Sequence, residues 1–286
     1  MRTCLPPRPP RRPGRTVPTG LIDAHCHIVG PADRFALAQG RAYTAPDAPL
    51  EQYLALREAL GISRSVVVQP GAHGFDNAVT LDAIARMGES ARGIAVVPLD
   101  VSEGVLADYD AGGIRGVRLS SMLRGASGTE GMQQLAHKIA PRGWHILFHL
   151  HDADEILELE KAIRASPVPI MLDHMARTTG DMGPGSAAFG CLLRLLEDCD
   201  HVWTKICSWY RLSSRPDWTD MAPLAQAVLD TAPDRVVWGS NWPHVMLFDG
   251  PVPDDAALLD QAIDWFGPHA RQVLVDNPAR LYFPGD

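Results

Sequence analysis

The strongest constraint on this chain is an eightfold alternation. A short run of apolar and β-branched residues is followed each time by a stretch whose apolar residues recur at three- and four-residue spacing. The runs are IDAHCHI (22–28), SVVVQP (65–70), GIAVVPLD (93–100), GVRLSSM (116–122), HILFHLH (145–151), PIMLDHM (169–175), VWTKICS (202–208) and RVVWGSNWPH (235–244). Between them lie helical stretches such as LEQYLALREALGI, AVTLDAIARMG, DEILELEKAIRA and FGCLLRLLEDC. An open doubly wound sheet alternates in the same way, but eight units without a Gly-rich phosphate loop favour a closed (β/α)8 TIM barrel, α/β in class. The 286 residues suit one such barrel, which typically takes about 250. Residues 21–286 are therefore expected to form a single domain. Residues 1–20, rich in Pro and Arg with almost nothing to bury, are expected to be a disordered extension.

Composition narrows the ligand. The formal charge is −8, from 26 basic and 34 acidic residues, with no basic run outside the tail, which argues against a nucleic-acid surface and for small molecules. Five cysteines, odd in number and without a C-x-x-C pair, argue against a disulfide framework or zinc ribbon and fit a reducing cytoplasm. No apolar stretch reaches about 18 residues and the start lacks the apolar core of a signal peptide, so no membrane association is expected. Lys138, Lys161 and Lys205 are the only lysines, and with arginine this dominant no single arginine carries much weight by type alone.

In a barrel of this kind the working groups stand at the carboxyl ends of the strands. His25 and His27 end the first run, His149 and His151 the fifth, His174 the sixth and Asn241 the eighth. Strand alternation puts His25 and His27 on one face and Cys26 on the other, where it packs. Converging imidazoles either bind a divalent metal or, unmetallated, hydrogen-bond a polarised carbonyl oxygen, and spacing leaves both open. Arg118 within the fourth run and Arg177 after the sixth would be poorly placed unless each met a carboxylate. Lys205 is expected to pair with a buried carboxylate, Asp173 or Asp23. His73, Asp76 and Asn77 follow the second run in a stretch that reads equally as site or as turn.

The motifs D-A-H-C-H, Q-P-G-A-H-G-F-D-N, G-I-R-G-V-R, D-H-M-A-R, W-G-S-N-W-P-H and N-P-A-R-L-Y occur in the order found in the lactonase-like branch of the amidohydrolase superfamily. From about residue 20 to residue 283 the chain resembles the 2-pyrone-4,6-dicarboxylate lactonase family. The resemblance implies that His25, His27 and His174 polarise a lactone carbonyl without an obligatory metal, and that the strand-eight position, Asn241, handles the water. It also implies that Tyr43, Arg118, Arg124, Arg177 and Arg211 grip the carboxylates of a lactone or of a di- or tricarboxylate, with His73 and Asn77 shaping the pocket. Trp242 and Pro243 would fix the strand-eight loop, and His244 belongs to the same motif.

Two positions depart from that pattern. Asn241 stands where the family has Asp, and a carboxamide has no useful basicity near pH 7. A relative with altered chemistry, a chain changed to trap a ligand and a binder without turnover all fit this difference. His149 stands where the family has a tyrosine. It can replace that hydroxyl as a donor, serve as the missing base, or join His25 and His27 in a three-histidine site for zinc or manganese. The leading expectation is opening or closing of a carboxylate-bearing lactone with no cofactor. The alternatives are a sugar-acid lactone isomerase, a metal-dependent hydrolase or decarboxylase, and a non-catalytic carboxylate binder.

Overall fold

The computed structural model describes residues 1–122 and 128–285. Eight parallel strands run in sequence order around a barrel: β1 Ile22–Cys26, β2 Arg64–Val68, β3 Ala91–Ala95, β4 Ile114–Ser120, β5 His145–His149, β6 Ile170–Leu172, β7 Val202–Ile206 and β8 Val236–Trp238. Helices α1 Leu50–Leu60, α2 Ala78–Met87, α3 Glu103–Ala111, α4 Met132–Ile139, α5 Glu155–Arg164, α6 Ala187–Asp198, α7 Ala222–Thr231 and α8 Asp255–Phe266 follow the strands, and α9 Asn277–Tyr282 ends the fold. The TIM barrel read from the sequence is what forms. None of the helices is long and apolar enough to cross a membrane among the described residues.

The interior divides into two zones. Ile22, Ala24, Val66, Val68, Ile94, Leu147, Met171 and Val237 pack with Tyr282 and Phe283 into an apolar plug. The other strand faces pack against the helices in a larger core. Above the plug the inward positions turn polar, and this is where the site lies.

Three local devices set that upper zone. A bulge in β1 sets three residue steps, Asp23 to Cys26, against two of β2, Ser65 to Val67. Simple alternation would put His25 and His27 on the face opposite Ala24, against the helices. The extra residue resets the phase, so Ala24 and both histidines face inward while Cys26 packs outward, its Sγ 3.5 Å from the Val66 carbonyl. Closure comes from the end of β8: Asn241 N donates to the His25 carbonyl at 2.8 Å and His27 N to the Trp242 carbonyl at 2.7 Å. The two chains approach closely because residue 239 is glycine; a Cβ there would stand 2.5 Å from that of His25.

The first twenty residues are not a free extension in the structure. Cys4 is buried, Cys4 N donates to the Thr44 carbonyl and Leu5 N to the Leu247 carbonyl, both at 2.8 Å. Further along, Arg11 pairs with Asp254, and Arg15 with Asp264 at 2.8 Å. The segment thus ties the loop after β1 to the loop after β8. The composition pointed elsewhere because the partners are backbone groups and acidic residues more than two hundred positions away.

Candidate active site

His27, Tyr43, Arg118, His149, His174, Arg211 and Asn241 line one narrow cavity at the carboxyl ends of the strands, with Val245 and Met246 completing its wall. As arranged, its free volume is about 20 Å³, room for about one water, so a ring acid enters only when the lining side chains give way. Seven of the residues singled out in the sequence therefore meet. His25 lies directly beneath, its ring 4.8 Å from that of His27 and 5.4 Å from that of His174. The rings of His149 and His174 are 5.9 Å apart.

Hydrogen-bond bookkeeping orders the protons beneath the cavity. His27 Nδ1 lies 2.7 Å from the Val68 carbonyl, which can only accept, so the proton sits on Nδ1 and Nε2 is bare. Burial, with Arg118 nearby, pulls His27 down to about 3, so the ring is neutral at pH 7. The 3.2 Å contact between the two Nε2 atoms then takes its proton from His25. His25 Nδ1 lies 3.0 Å from Lys205 Nζ and 3.2 Å from Asp173 Oδ1. Lys205 Nζ also pairs with Asp173 Oδ1 at 3.3 Å, and Arg118 Nη2 lies 3.7 Å from Asp173 Oδ2. Burial would raise the Asp173 carboxyl, but His25, Lys205 and His174 reverse the sign and hold it well below the ordinary range. Of the two expected partners for Lys205, Asp173 is the one that forms. Asp23 instead accepts from Ser240 N, Ser240 Oγ and Tyr53 Oη at 2.9, 2.6 and 2.9 Å.

The upper imidazoles are arranged differently. His174 Nδ1 lies 2.9 Å from Cys207 Sγ, and burial keeps that thiol well above its usual value, so the thiol donates. His149 Nδ1 lies 3.0 Å from Ser120 Oγ. Burial pulls His149 well below, and His174 to about 3. With the hydroxyl of Ser120 donating, both rings are neutral and keep the proton on Nε2. Tyr43 is pushed up to about 12 by burial and stays a phenol.

His174 does not end a strand. β6 stops at Leu172, and His174, Met175, Ala176 and Arg177 all have positive φ, between 51° and 65°. A left-handed conformation costs roughly 1–2 kcal/mol per non-glycine residue, and four in succession form a strained turn of the kind found at functional sites. Ala176→Gly is accordingly expected to leave the urea midpoint unchanged or raise it, although Ala to Gly inside an ordinary element costs about 0.5–1 kcal/mol. A loss larger than that would mean the turn is unstrained.

His73 uses both ring nitrogens on backbone, Nε2 accepting from Gly30 N at 3.3 Å and Nδ1 lying 3.0 Å from the Ala36 carbonyl. Asn77 clamps Val96 N and its carbonyl at 3.0 and 2.8 Å. Both are loop staples outside the cavity, so turn chemistry wins over the pocket role given to them. His151 is exposed beside Asp152. Arg177 is half-buried next to the cavity, and Arg124 lies outside the described residues. Sequence reasoning passed over Tyr210, Ser208 and Asp255. Asn241 Nδ2 donates to Ser208 Oγ at 3.2 Å and to Tyr210 Oη at 2.9 Å. The one signal for Tyr210 was its place between the end of the seventh run and Arg211.

A family model described as amidohydrolase matches residues 22–283. The chain is an amidohydrolase. It is 37% identical over 289 residues to the 2-pyrone-4,6-dicarboxylate hydrolase of Comamonas testosteroni, covering 96% of this chain and 94% of that protein. It is 39% identical over 275 residues to the 4-sulfomuconolactone hydrolase of Rhizobium radiobacter, covering 93% and 91%. Among solved structures, a 2-pyrone-4,6-dicarboxylic acid hydrolase described as putative, from Pseudomonas putida, superimposes with a TM-score of 0.81 at 27% identity, covering 94% of this chain and all of that one.

Amidohydrolases often hold a divalent metal, which makes the donor set worth testing. The ligand atoms of His25, His27 and His149 do not form a tight group. Of the buried described residues, only His25, Asp173 and Cys207 bring potential ligand atoms within 4.8 Å of one another. The Lys205 ammonium lies against two of these three, and a divalent ion there would face a cation at close range. His25, Asp173 and Cys207 are thus the buried described residues that could hold such an ion, with the Lys205 ammonium competing for two of them.

Proposed function

We propose that this amidohydrolase opens, and in reverse closes, the lactone ring of a small carboxylate-bearing lactone such as 2-pyrone-4,6-dicarboxylate, by adding water to the ring carbonyl. The observation that carries the reading is a set of three buried guanidinium Nε atoms, on Arg118, Arg177 and Arg211, with no hydrogen-bond partner in the protein. Leaving a buried donor unpaired costs about 1–3 kcal/mol, and ligand carboxylates would satisfy these forks in bidentate fashion. The two curated relatives above are named for lactones that carry acid groups, which agrees with a cationic cavity in a chain of net charge −8.

The chemistry follows from the proton order. His25 and His27 spend their N–H groups on each other and on Val68, so they shape the floor. Polarisation of the lactone carbonyl falls to the Nε2–H groups of His149 and His174 and to Arg118, donors fixed before charge develops on the oxygen. This shifts the role first given to His25 and His27. Tyr43 adds a phenolic donor. The Asn241 carboxamide spends its N–H on Ser208 and Tyr210, leaving Oδ1 to hold the attacking water.

Ring opening followed by loss of pyrone absorbance, after dialysis against a chelator, tests the metal-free form of the reading. Turnover is expected to persist. Turnover abolished by chelation and restored by one zinc or manganese per chain would contradict it. Asn241 also favours a second reading, a binder without turnover. Dicarboxylate binding with no ring opening at any pH, in the parent and in Asn241→Asp alike, would select that one.

A further inference from the structure

Behind Asn241 stands a buried chain of three groups that no step above has used. Tyr210 Oη lies 2.9 Å from Asn241 Nδ2 and 2.8 Å from His244 Nδ1. His244 Nε2 lies 3.1 Å from Asp255 Oδ1. His244 and Asp255 are almost wholly buried, and the tyrosine and histidine rings meet edge to face at 5.2 Å. We propose that Tyr210, backed by His244 and Asp255, is the proton acceptor for the attacking water, supplying the basicity that asparagine at position 241 lacks. The inference rests on the lactone-opening reading above.

The order of donors supports it. Asp255 Oδ1 stands 3.1 Å from His244 Nε2 as a charge partner, out of hydrogen-bond alignment; its negative charge favours the proton on Nε2, and Nδ1 is bare when the ring is neutral. Nδ1 then takes the phenolic proton and leaves a phenolate beside an imidazolium, with Asp255 holding the positive end. This is the logic of a hydroxyl, imidazole and carboxylate triad with a phenol in the hydroxyl's place. The phenolate oxygen receives the Asn241 Nδ2–H and lies next to Ser208. Arg211 is stacked 5.6 Å from the Tyr210 ring. A purely structural anchor for the loop after β8 would need His244 and Asp255, but not a tyrosine hydroxyl aimed at the residue that lines the cavity.

The step balances. Water gives one proton to Tyr210 Oη as its oxygen bonds the lactone carbonyl carbon, and the carbonyl π pair moves onto the oxygen held by His149 and His174. When that oxyanion collapses, the ring C–O bond breaks and the leaving oxygen takes the proton from Tyr210, which restores the phenolate.

The charged groups facing Tyr210 are His244 and Arg211, with Asp255 behind His244. Burial would raise the phenol, but His244 and Arg211 outweigh it and bring Tyr210 down to about 8. Burial would lower His244, but Tyr210 and Asp255 outweigh it and lift the imidazole to about 9. A base must be deprotonated to act, so kcat is expected to rise with pH through about 8.

The test is the pH profile of pyrone opening by the full chain and four variants, Asn241→Asp among them, with dicarboxylate binding measured beside it. Tyr210→Phe is expected to lower kcat by about 10²-fold or more, with KM and dicarboxylate binding nearly unchanged. His244→Gln is expected to move the rise upward, toward the ordinary tyrosine value near 10. Asn241→Asp added to Tyr210→Phe is expected to restore turnover with a flat profile above pH 6, a rescue that a structural role for Tyr210 would not allow. Unchanged kcat and an unchanged rise in Tyr210→Phe overturn the inference and leave the lactonase reading standing. So does a parent that opens no lactone while Asn241→Asp does. No opening by either overturns both.

Discussion

At pH 6, Asn241→Asp is expected to raise kcat for lactone opening by about 10²-fold, within the range that general-base assistance supplies. The carboxylate would stand where Asn241 now holds water, 3% exposed at the closure of β8 onto β1. The gain is expected to shrink as pH passes 8, where the Tyr210 and His244 pair loses its own proton. KM should change little, because the arginines and Tyr43 are untouched. A carboxylate that brings no gain at pH 6 would mean that position 241 does not face the water at all.

The second large effect concerns stability. Lys205→Met removes the only lysine in the barrel interior, which is fully buried and bonded to both His25 and Asp173. It leaves a buried carboxylate facing only Arg118 at 3.7 Å and the neutral imidazoles. Breaking a buried ion pair from one side typically costs about 3–5 kcal/mol, and a loss of that size is expected in urea unfolding. Asp173→Leu in the same chain is expected to recover much of it, since no charge is then stranded. The pH dependence has a definite sign. Asp173 is depressed in the folded state, so its contribution is present above the unfolded aspartate value near 4 and disappears as pH falls toward the folded value. A Lys205→Met chain as stable as its parent would show that the ammonium is not tied to Asp173.

Periodicity made the barrel legible, since each strand is a buried run and each helix an amphipathic stripe. The strand ends were not legible. HILFHLH reads as one strand through residue 151, yet β5 ends at His149 and His151 turns out to solvent. D-H-M-A-R reads as the end of β6, yet it forms a left-handed turn that no local propensity favours, closed by Thr178 N donating to the Met175 carbonyl and by the His174 contact with Cys207. Alternation correctly paired His25 with His27, but it takes a bulge to aim them inward. His73 and Asn77 looked like pocket residues because a polar turn near a barrel mouth shares its vocabulary with a binding loop. Tyr210 escaped notice because its importance comes from His244 and Asp255, 34 and 45 positions away, whose convergence the sequence does not encode in any spacing.

Buried guanidinium groups are expected to hold the acid groups of the ligand. Calorimetric titration with benzene-1,3-dicarboxylate, an inert ring whose carboxylates are spaced like those of the pyrone, tests it most directly. One molecule is expected to bind per chain, with benzoate weaker by roughly 10–100-fold, the worth of one charged hydrogen-bonded contact of about 1.5–3 kcal/mol, and with a similar loss in Arg211→Met. Equal affinity for the mono- and dicarboxylate, indifferent to Arg211, would contradict the claim.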